Sequence, residues 1–317
     1  MGGPSGGNTL IALVGNLIAD VVAYPVERMP EMERLHKVNH IFLHLGGSVA
    51  NTGKTLARLG VPVLAAGRVG KDALGHFIER ALKDFAHQVE VEQGGDYTSA
   101  TMVFIRPDGG RGFLFALGAC AGLGPEVIRP KVWRALGVRA IHIGYLNLLP
   151  RFEAEPLAEV LTDARSYGIL VSGDVAYDPS SPWERVLAIL PYLDLFMPNL
   201  DEARALTGKE QPEEAAHALL EFGVKQAVAV KLGPEGCYLA TQDGFTLRLS
   251  GHPVPVLDST GAGDAFIAGF LAAWYRGLAW EEALRMANAT GALAVTGLGA
   301  AEGVSDWATV ARLAGLS

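Results

Sequence analysis

Cysteine is nearly absent from this chain of 317 residues, which holds only Cys120 and Cys237, in unrelated contexts. Two isolated thiols build neither a disulfide framework nor a metal-ligand spacing, and their scarcity suits a reducing compartment. Long apolar runs are also missing; none approaches the ~18 residues that a membrane span requires. The stretch Met1 to Asn8 is Gly-rich and lacks a basic segment followed by an apolar one, so no secretory signal is expected. Positive charge is scarce, with 26 Lys and Arg against 34 Asp and Glu, a formal net charge of −8. That balance argues against general binding to nucleic acid or to an anionic membrane, and leaves room for a local basic pocket. The expectation is a soluble, cytoplasmic protein whose partner is a small molecule. Half of the residues are hydrophobic and 19% are charged, enough apolar material for a large ordered core.

Short apolar runs alternate with longer amphipathic segments. Leu10–Val14, Val61–Ala66, Ala140–Ile143, Ile169–Ser172, Leu195–Met197 and Ala227–Lys231 read as buried strands. Asn51–Leu59, Pro156–Tyr167, Glu213–Phe222, Ala265–Tyr275 and Trp280–Val295 read as helices. Such alternation predicts an α/β fold, a mainly parallel sheet with helices on both faces. Two stretches break the rhythm. Val21 to Leu45 holds β-rich pieces and two prolines, and Thr98 to Cys120 reads as a hairpin around Pro107-Asp108-Gly109-Gly110. Paired, they would form a small projecting sheet, a lid over a site or an oligomer contact.

The densest chemistry lies in Asp258-Ser-Thr-Gly-Ala-Gly-Asp264, a Gly-rich turn leading into an apolar helix. A helix start offers free N–H groups and the positive end of the helix dipole, which together attract anions. Asp264 would sit at the mouth of that anion hole. A carboxylate is poorly placed there to hold phosphate, but well placed to take a proton from a hydroxyl that attacks phosphate.

Other motifs follow strand ends, where open α/β sheets bind ligands. Asn16 and Asp20 follow the first strand; Asp20 would accept from vicinal hydroxyls, or the pair forms an Asx turn. Gly46-Gly47-Ser-Val-Ala-Asn51-Thr-Gly-Lys-Thr invites a P-loop reading, yet that pattern needs Gly where Ser48 stands. A diglycine turn allowing close approach of a ligand, with the Asn51 amide aimed at a sugar hydroxyl, fits better. Asn199 and Glu202 share one face of a first helical turn, either as an outer-shell site for hydrated magnesium or as a helix cap. Lys231-Leu-Gly233-Pro-Glu-Gly236 is either a nucleotide loop or a plain β-turn.

Taken together and in this order, these elements resemble the ribokinase-like (PfkB) family of carbohydrate and nucleoside kinases, over about Leu10 to Val310. The diglycine element and Asp-Ser-Thr-Gly-Ala-Gly-Asp are similar to the family's two signatures. The resemblance implies one ribokinase-like domain over residues 1–317, with a lid from about 21–45 and 98–120. It implies an ATP- and Mg2+-dependent kinase with Asp264 as base and Gly261, Ala262 and Gly263 as anion hole. Asn16, Asp20, Gly46, Gly47 and Asn51 would contact the sugar; Asn199 and Glu202 would place magnesium and phosphate. Lys231, Gly233, Gly236 and Asn288 would face the nucleotide. Many members bind a monovalent cation such as K+, and the counterparts here are Asp258, Thr260, Val295 and Gly299. A homodimer through the lid is implied too.

The expected acceptor is a neutral ribose- or fructose-like sugar. Members acting on keto-acid sugars carry an Arg a few residues after the Asp of the fifth strand, where this chain has Gly173-Asp174-Val-Ala-Tyr-Asp178. An acidic group there would repel a carboxylate and disfavours 2-keto-3-deoxygluconate, unless Arg106 or Arg111 on the hairpin substitutes. A nucleoside acceptor is the nearest alternative, with Tyr24, Phe42, Phe113 and Phe115 available to a base. A binding protein without catalysis is the remote one.

Overall fold

Apolar runs that stay apolar on consecutive residues need cover on both faces, and this chain provides it in a layered α/β arrangement. The computed structural model describes residues 9–29, 31–95, 97–107 and 110–316. Its strands are β1 (Leu10–Gly15), β2 (Ile18–Tyr24), β3 (His40–Gly46), β4 (Val63–Val69), β5 (Gln88–Gln93), β6 (Ala100–Ile105), β7 (Arg111–Ala116), β8 (Val138–Gly144), β9 (Leu170–Gly173), β10 (Leu195–Phe196), β11 (Ala227–Lys231), β12 (Cys237–Thr241) and β13 (Thr246–Leu249).

Nine of them form the main sheet, in the order β13-β12-β11-β10-β9-β8-β1-β4-β5. From β11 to β5 every pairing is parallel; β12 and β13 add an antiparallel margin. Every residue of β1 is buried, as a strand covered on both faces requires. One face packs on helices Ser48–Arg58, Ala262–Tyr275 and Trp280–Ala294; the other packs on Ala154–Ser166 and Pro212–Glu221. The chain leaves β1 towards β4 on one side and returns as β8 on the other. That reversal of strand order opens a crevice at the carboxyl ends of β1 and β8.

The small sheet exists, with order β3-β2-β6-β7. It begins earlier than expected, at Ile18, only two residues after β1 ends. Its central pairing, β2 with β6, is parallel, flanked by antiparallel β2–β3 and β6–β7. The hairpin's Asp108 and Gly109 lie outside the described residues. On one face of this sheet Ile41 and Leu114 are 69% and 57% exposed, with Leu43 and Met102 exposed beside them; Phe113, on the other face, is 58% exposed.

Two helices start three residues before their expected first residues. The helix expected from Asn51 begins at Ser48, and the one expected from Ala265 begins at Ala262. Both starts are rich in small residues and follow a glycine with positive φ, Gly47 at 87° and Gly261 at 72°. Such glycines end the preceding turn and let the helix begin at once.

Candidate active site

Asp264 is the third residue of the helix Ala262–Tyr275 and is 3% exposed. Two side chains hold one of its oxygens, Oδ2: Asn51 Nδ2 donates at 2.9 Å and Tyr145 Oη at 2.8 Å. The other oxygen, Oδ1, accepts no hydrogen bond among the described residues. Burial raises the Asp264 pKa, while the bonds from Asn51 and Tyr145 and the charge of Lys231 oppose the rise. A carboxylate held this way is a competent base whose basicity is set by its surroundings.

The same helix start has the features of an anion site. Gly261 caps it in a left-handed conformation, and a Cβ there would also lie 3.2 Å from Ala300 Cβ. The Ala262 N–H makes a long bond of 3.3 Å to Ser259 O; those of Gly263 and Asp264 have no acceptor among the described residues. A Cβ on Gly263 would stand 3.4 Å from Lys231 Nζ, so the ammonium lies against this first turn. Backbone N–H groups and a fixed cation thus converge on one point.

On the β1 side, Asn16 is fully buried with both amide atoms unpartnered, and Asn51 Oδ1 and Ser48 Oγ are buried without partners. Unsatisfied polar atoms in a cluster are costly and mark where a hydroxylated ligand would bond. Asp20 completes the group. Burial pushes its pKa up to about 6, opposed by a hydrogen bond from Thr101 and by Lys54. The diglycine also has a cause within the protein. A Cβ on Gly46 would fall 2.0 Å from Asp20 Oδ2, and one on Gly47 would fall 2.3 Å from Asn16 O. The two glycines make room for the ligand-facing residues.

Between these two sides stands a charged cluster at the ends of β9, β10 and β11. Lys231 Nζ is 3.7 Å from Asp174 Oδ2, and Asp174 Oδ1 accepts the Tyr145 N–H at 3.0 Å. Burial raises the Asp174 pKa and Lys231 lowers it. His142 Nε2 lies 3.7 Å from Asp174, but this is no ion pair: burial, aided by Lys231, drives the imidazole pKa down to about 3. Asn199 and Glu202 realise the capping reading in full. Asn199 N and Nδ2 donate to the Glu202 carboxylate at 2.7 and 2.8 Å, and Glu202 N donates to Asn199 Oδ1 at 2.9 Å. The cap also fixes Glu202, 3% exposed, within electrostatic reach of Lys231 and Asp264. Burial raises the pKa of all three acids around this one ammonium, and a hard divalent cation held through water would favour their ionised forms. No cluster of His, Cys, Asp and Glu among the described residues would ligate a metal directly.

A cavity of about 640 Å³ opens beyond Lys231, within the usual range for small-molecule sites. Lys231, Gly233, Gly236 and Asn288 all line it, together with Gly263 of the anion hole and the apolar Phe266. Asn288 Nδ2 donates to Ser250 O at 2.9 Å, leaving its carbonyl oxygen available. Asn199 and Glu202 lie outside this lining.

The residues read as a cation site lie together, each with protein partners. Val295 lines the cavity, and its carbonyl accepts from Leu257 N at 2.8 Å and Asp258 N at 3.2 Å. Asp258 Oδ1 accepts from Thr260 N at 2.7 Å, and Oδ2 accepts from Gly299 N at 2.8 Å. The Arg111 guanidinium, from the small sheet, pairs with Oδ1 as well. The Thr260 carbonyl accepts Ala301 N at 3.4 Å.

Tyr145, Asp174 and the Arg111 contact were missed as site features. Tyr145 and Asp174 immediately follow β8 and β9, so the strand-end rule that picked out Asn16 would have found them. Tyr145 also has a left-handed backbone, φ 55°, which the sequence does not announce.

The profile described as "pfkB family carbohydrate kinase" matches residues 8–307. Ribokinase of Arabidopsis thaliana is 30% identical over 315 residues, spanning 96% of this chain and 80% of that protein. The 2-dehydro-3-deoxygluconokinase of Bacillus subtilis is 29% identical, spanning 85% of this chain and 86% of that protein. A solved structure of Arabidopsis thaliana ribokinase complexed with ribose and ATP is similar at a TM-score of 0.82 and 28% identity, covering 98% of this chain and 100% of that one.

Proposed function

Because the chain belongs to the pfkB family of carbohydrate kinases, and so to the phosphotransferases that act on an alcohol group, we propose that it moves the γ-phosphoryl group of ATP to a hydroxyl of a neutral sugar, with Asp264 as the base. The observation that carries this reading is how Asp264 is held: Asn51 and Tyr145 both donate to Oδ2, Oδ1 accepts no hydrogen bond among the described residues, and the carboxylate belongs to a helix start whose Gly263 and Asp264 N–H groups have no acceptor there. The acceptor sugar lies against Asn16, Asp20 and Asn51; ATP lies in the cavity beyond Lys231, with its γ-phosphate at the helix start. The acceptor oxygen attacks the γ-phosphorus, its proton passes to Asp264, and ADP leaves. The N–H groups of Gly263 and Asp264 and the Lys231 ammonium stabilise the charge that spreads over the transferring oxygens.

Asn199 and Glu202 would hold magnesium through water, which when bound neutralises the phosphate charge. For the acceptor, the carboxylate of Asp20 on the hydroxyl side, with its pKa raised to about 6, favours a neutral molecule over a carboxylate at neutral pH. Arg111 is engaged by Asp258 and so does not supply the cation that a keto-acid sugar would need. The exposed apolar face of the small sheet supports its use as a lid that also joins two copies into a homodimer; sedimentation at working concentration tests this, and a monomer would contradict it.

A coupled ADP-release screen over neutral sugars, nucleosides and keto-acid sugars tests the acceptor. Turnover with ribose- or fructose-like sugars is expected. Turnover confined to nucleosides or to 2-keto-3-deoxygluconate would replace the neutral-sugar reading, and none with any acceptor would remove the catalytic one.

A further inference from the structure

Arg111 and Asp258 form an ion pair between the small sheet and the main body, with side chains 15% and 3% exposed. Asp258 opens the turn that ends in the anion hole. Burial pushes its pKa up, but the bonds from Arg111, Thr260 N and Gly299 N together outweigh burial and hold it below the usual range. Its two oxygens tie two segments together: Oδ1 accepts from Thr260 N within the turn, and Oδ2 accepts from Gly299 N in the loop after the helix Trp280–Ala294. Of the groups bonded to it, only the guanidinium is charged. A buried carboxylate is tolerated with such a partner and strongly destabilised without one.

We propose that Arg111 is a latch through which the small sheet orders the anion hole. With the sheet docked, the guanidinium compensates Asp258 and the turn 258–263 presents its N–H groups to phosphate. With the sheet lifted, Asp258 loses its only charged bonding partner, and the turn loosens. Arg111 acts as a positioning residue; it acts on the phosphoryl group only through the turn. Closure of the sheet over an acceptor is then coupled to completion of the phosphate site, so ATP is not committed while the acceptor side stands open. The same contact bears on the expected K+ site. Asp258 is already served by a guanidinium, and the Val295 carbonyl already accepts two backbone N–H groups, so this set does not fit a monovalent cation.

The turnover arm of the test rests on the kinase reading above; the hydrogen-exchange arm does not. Wild type, Arg111→Met and Arg111→Lys are compared by hydrogen exchange resolved to peptides, and by ADP release in KCl and in choline chloride. In Arg111→Met, peptides covering 258–263 and 295–301 should exchange faster, while β1, β6 and β8 keep their protection. ADP release should fall about 10²-fold, the usual result of a small misplacement in a phosphoryl site. Arg111→Lys should recover part of both, and wild type should turn over equally in the two salts. Unchanged exchange at 258–263 in Arg111→Met would overturn the latch, as would a wild type that requires K+. If Arg111→Met loses protection in β1 and β8 as well, Arg111→Lys and the salt comparison on wild type decide. If no acceptor yields ADP, the kinase reading fails, and the exchange data still settle the latch.

Discussion

Removing the Tyr145 hydroxyl should move the pH dependence of the reaction without abolishing it. Tyr145 Oη donates to Asp264 Oδ2 at 2.8 Å, a hydrogen bond to the ionised form of a buried carboxylate. Burial pushes the Tyr145 pKa well above that of a free phenol, with Asp264 next in effect, so the hydroxyl stays a donor throughout the working range. A hydrogen bond to a charged group contributes about 1.5–3 kcal/mol. At 1.36 kcal/mol per pH unit, its loss raises the Asp264 pKa by roughly 1–2 units. The second donor, Asn51 Nδ2 at 2.9 Å, remains and keeps the carboxylate in place. Turnover needs ionised Asp264, so it is lost as pH falls through that pKa. A raised pKa therefore shifts the acid limb of the kcat/KM profile to higher pH. In Tyr145→Phe we expect that limb to move up by about 1–2 units, with the alkaline plateau within several-fold of wild type. The assay is coupled ADP release from pH 5 to 9 with the acceptor found by screening. An acid limb that stays put, or moves down, would refute the claim that Tyr145 sets the basicity of Asp264.

Three further outcomes follow from the same geometry. Gly46→Ala places a methyl where Asp20 Oδ2 now lies 2.0 Å away, so it should cost about 1–3 kcal/mol in thermal unfolding and raise the acceptor KM, with the KM for ATP unchanged. Asp20, with its pKa raised to about 6 by burial, should lose its charge in weakly acidic solution; the acceptor KM should rise below pH 6, and Asp20→Asn should make it independent of pH there. Glu202→Gln keeps the shape of the cap but removes a negative charge beside the phosphate site, so the Mg2+ concentration for half-maximal turnover should rise about 10- to 100-fold, measured by titration at fixed ATP.

Contiguous chemistry was legible in the sequence. Strands β1 and β11 match their expected bounds to within a residue, because fully buried strands have no polar interruption. The edge strands were not read. β5 is Gln-Val-Glu-Val-Glu-Gln, an alternation at the margin of the sheet whose glutamates are half-buried and paired with Trp133, Arg129 and Arg68, contacts the local sequence does not announce. β12 and β13 form a hairpin allowed by Gly236, where a Cβ would strike Leu249 O at 2.0 Å. Helix starts were placed late because Gly-Ala-Gly and Gly-Ser resemble turn, whereas a left-handed glycine followed by small residues is a helix entry. In the site, the signature residues Asn51 and Asp264 were named separately and prove to be bonded to each other. What local sequence could not supply were the contacts between distant strand ends. Tyr145 and Asp264 are 119 positions apart, and Arg111 reaches Asp258 from the other sheet; only the parallel order of strands brings such pairs together.

The central claim is that Asp264 takes the acceptor's proton, and Asp264→Asn tests it most directly. The amide can still bond Asn51 and Tyr145 but cannot act as base. Single-turnover ADP formation at saturating ATP and acceptor should fall roughly 10²–10⁴-fold, the range for loss of one proton-transfer group, with ATP affinity preserved. Near-normal turnover in that variant would contradict the account.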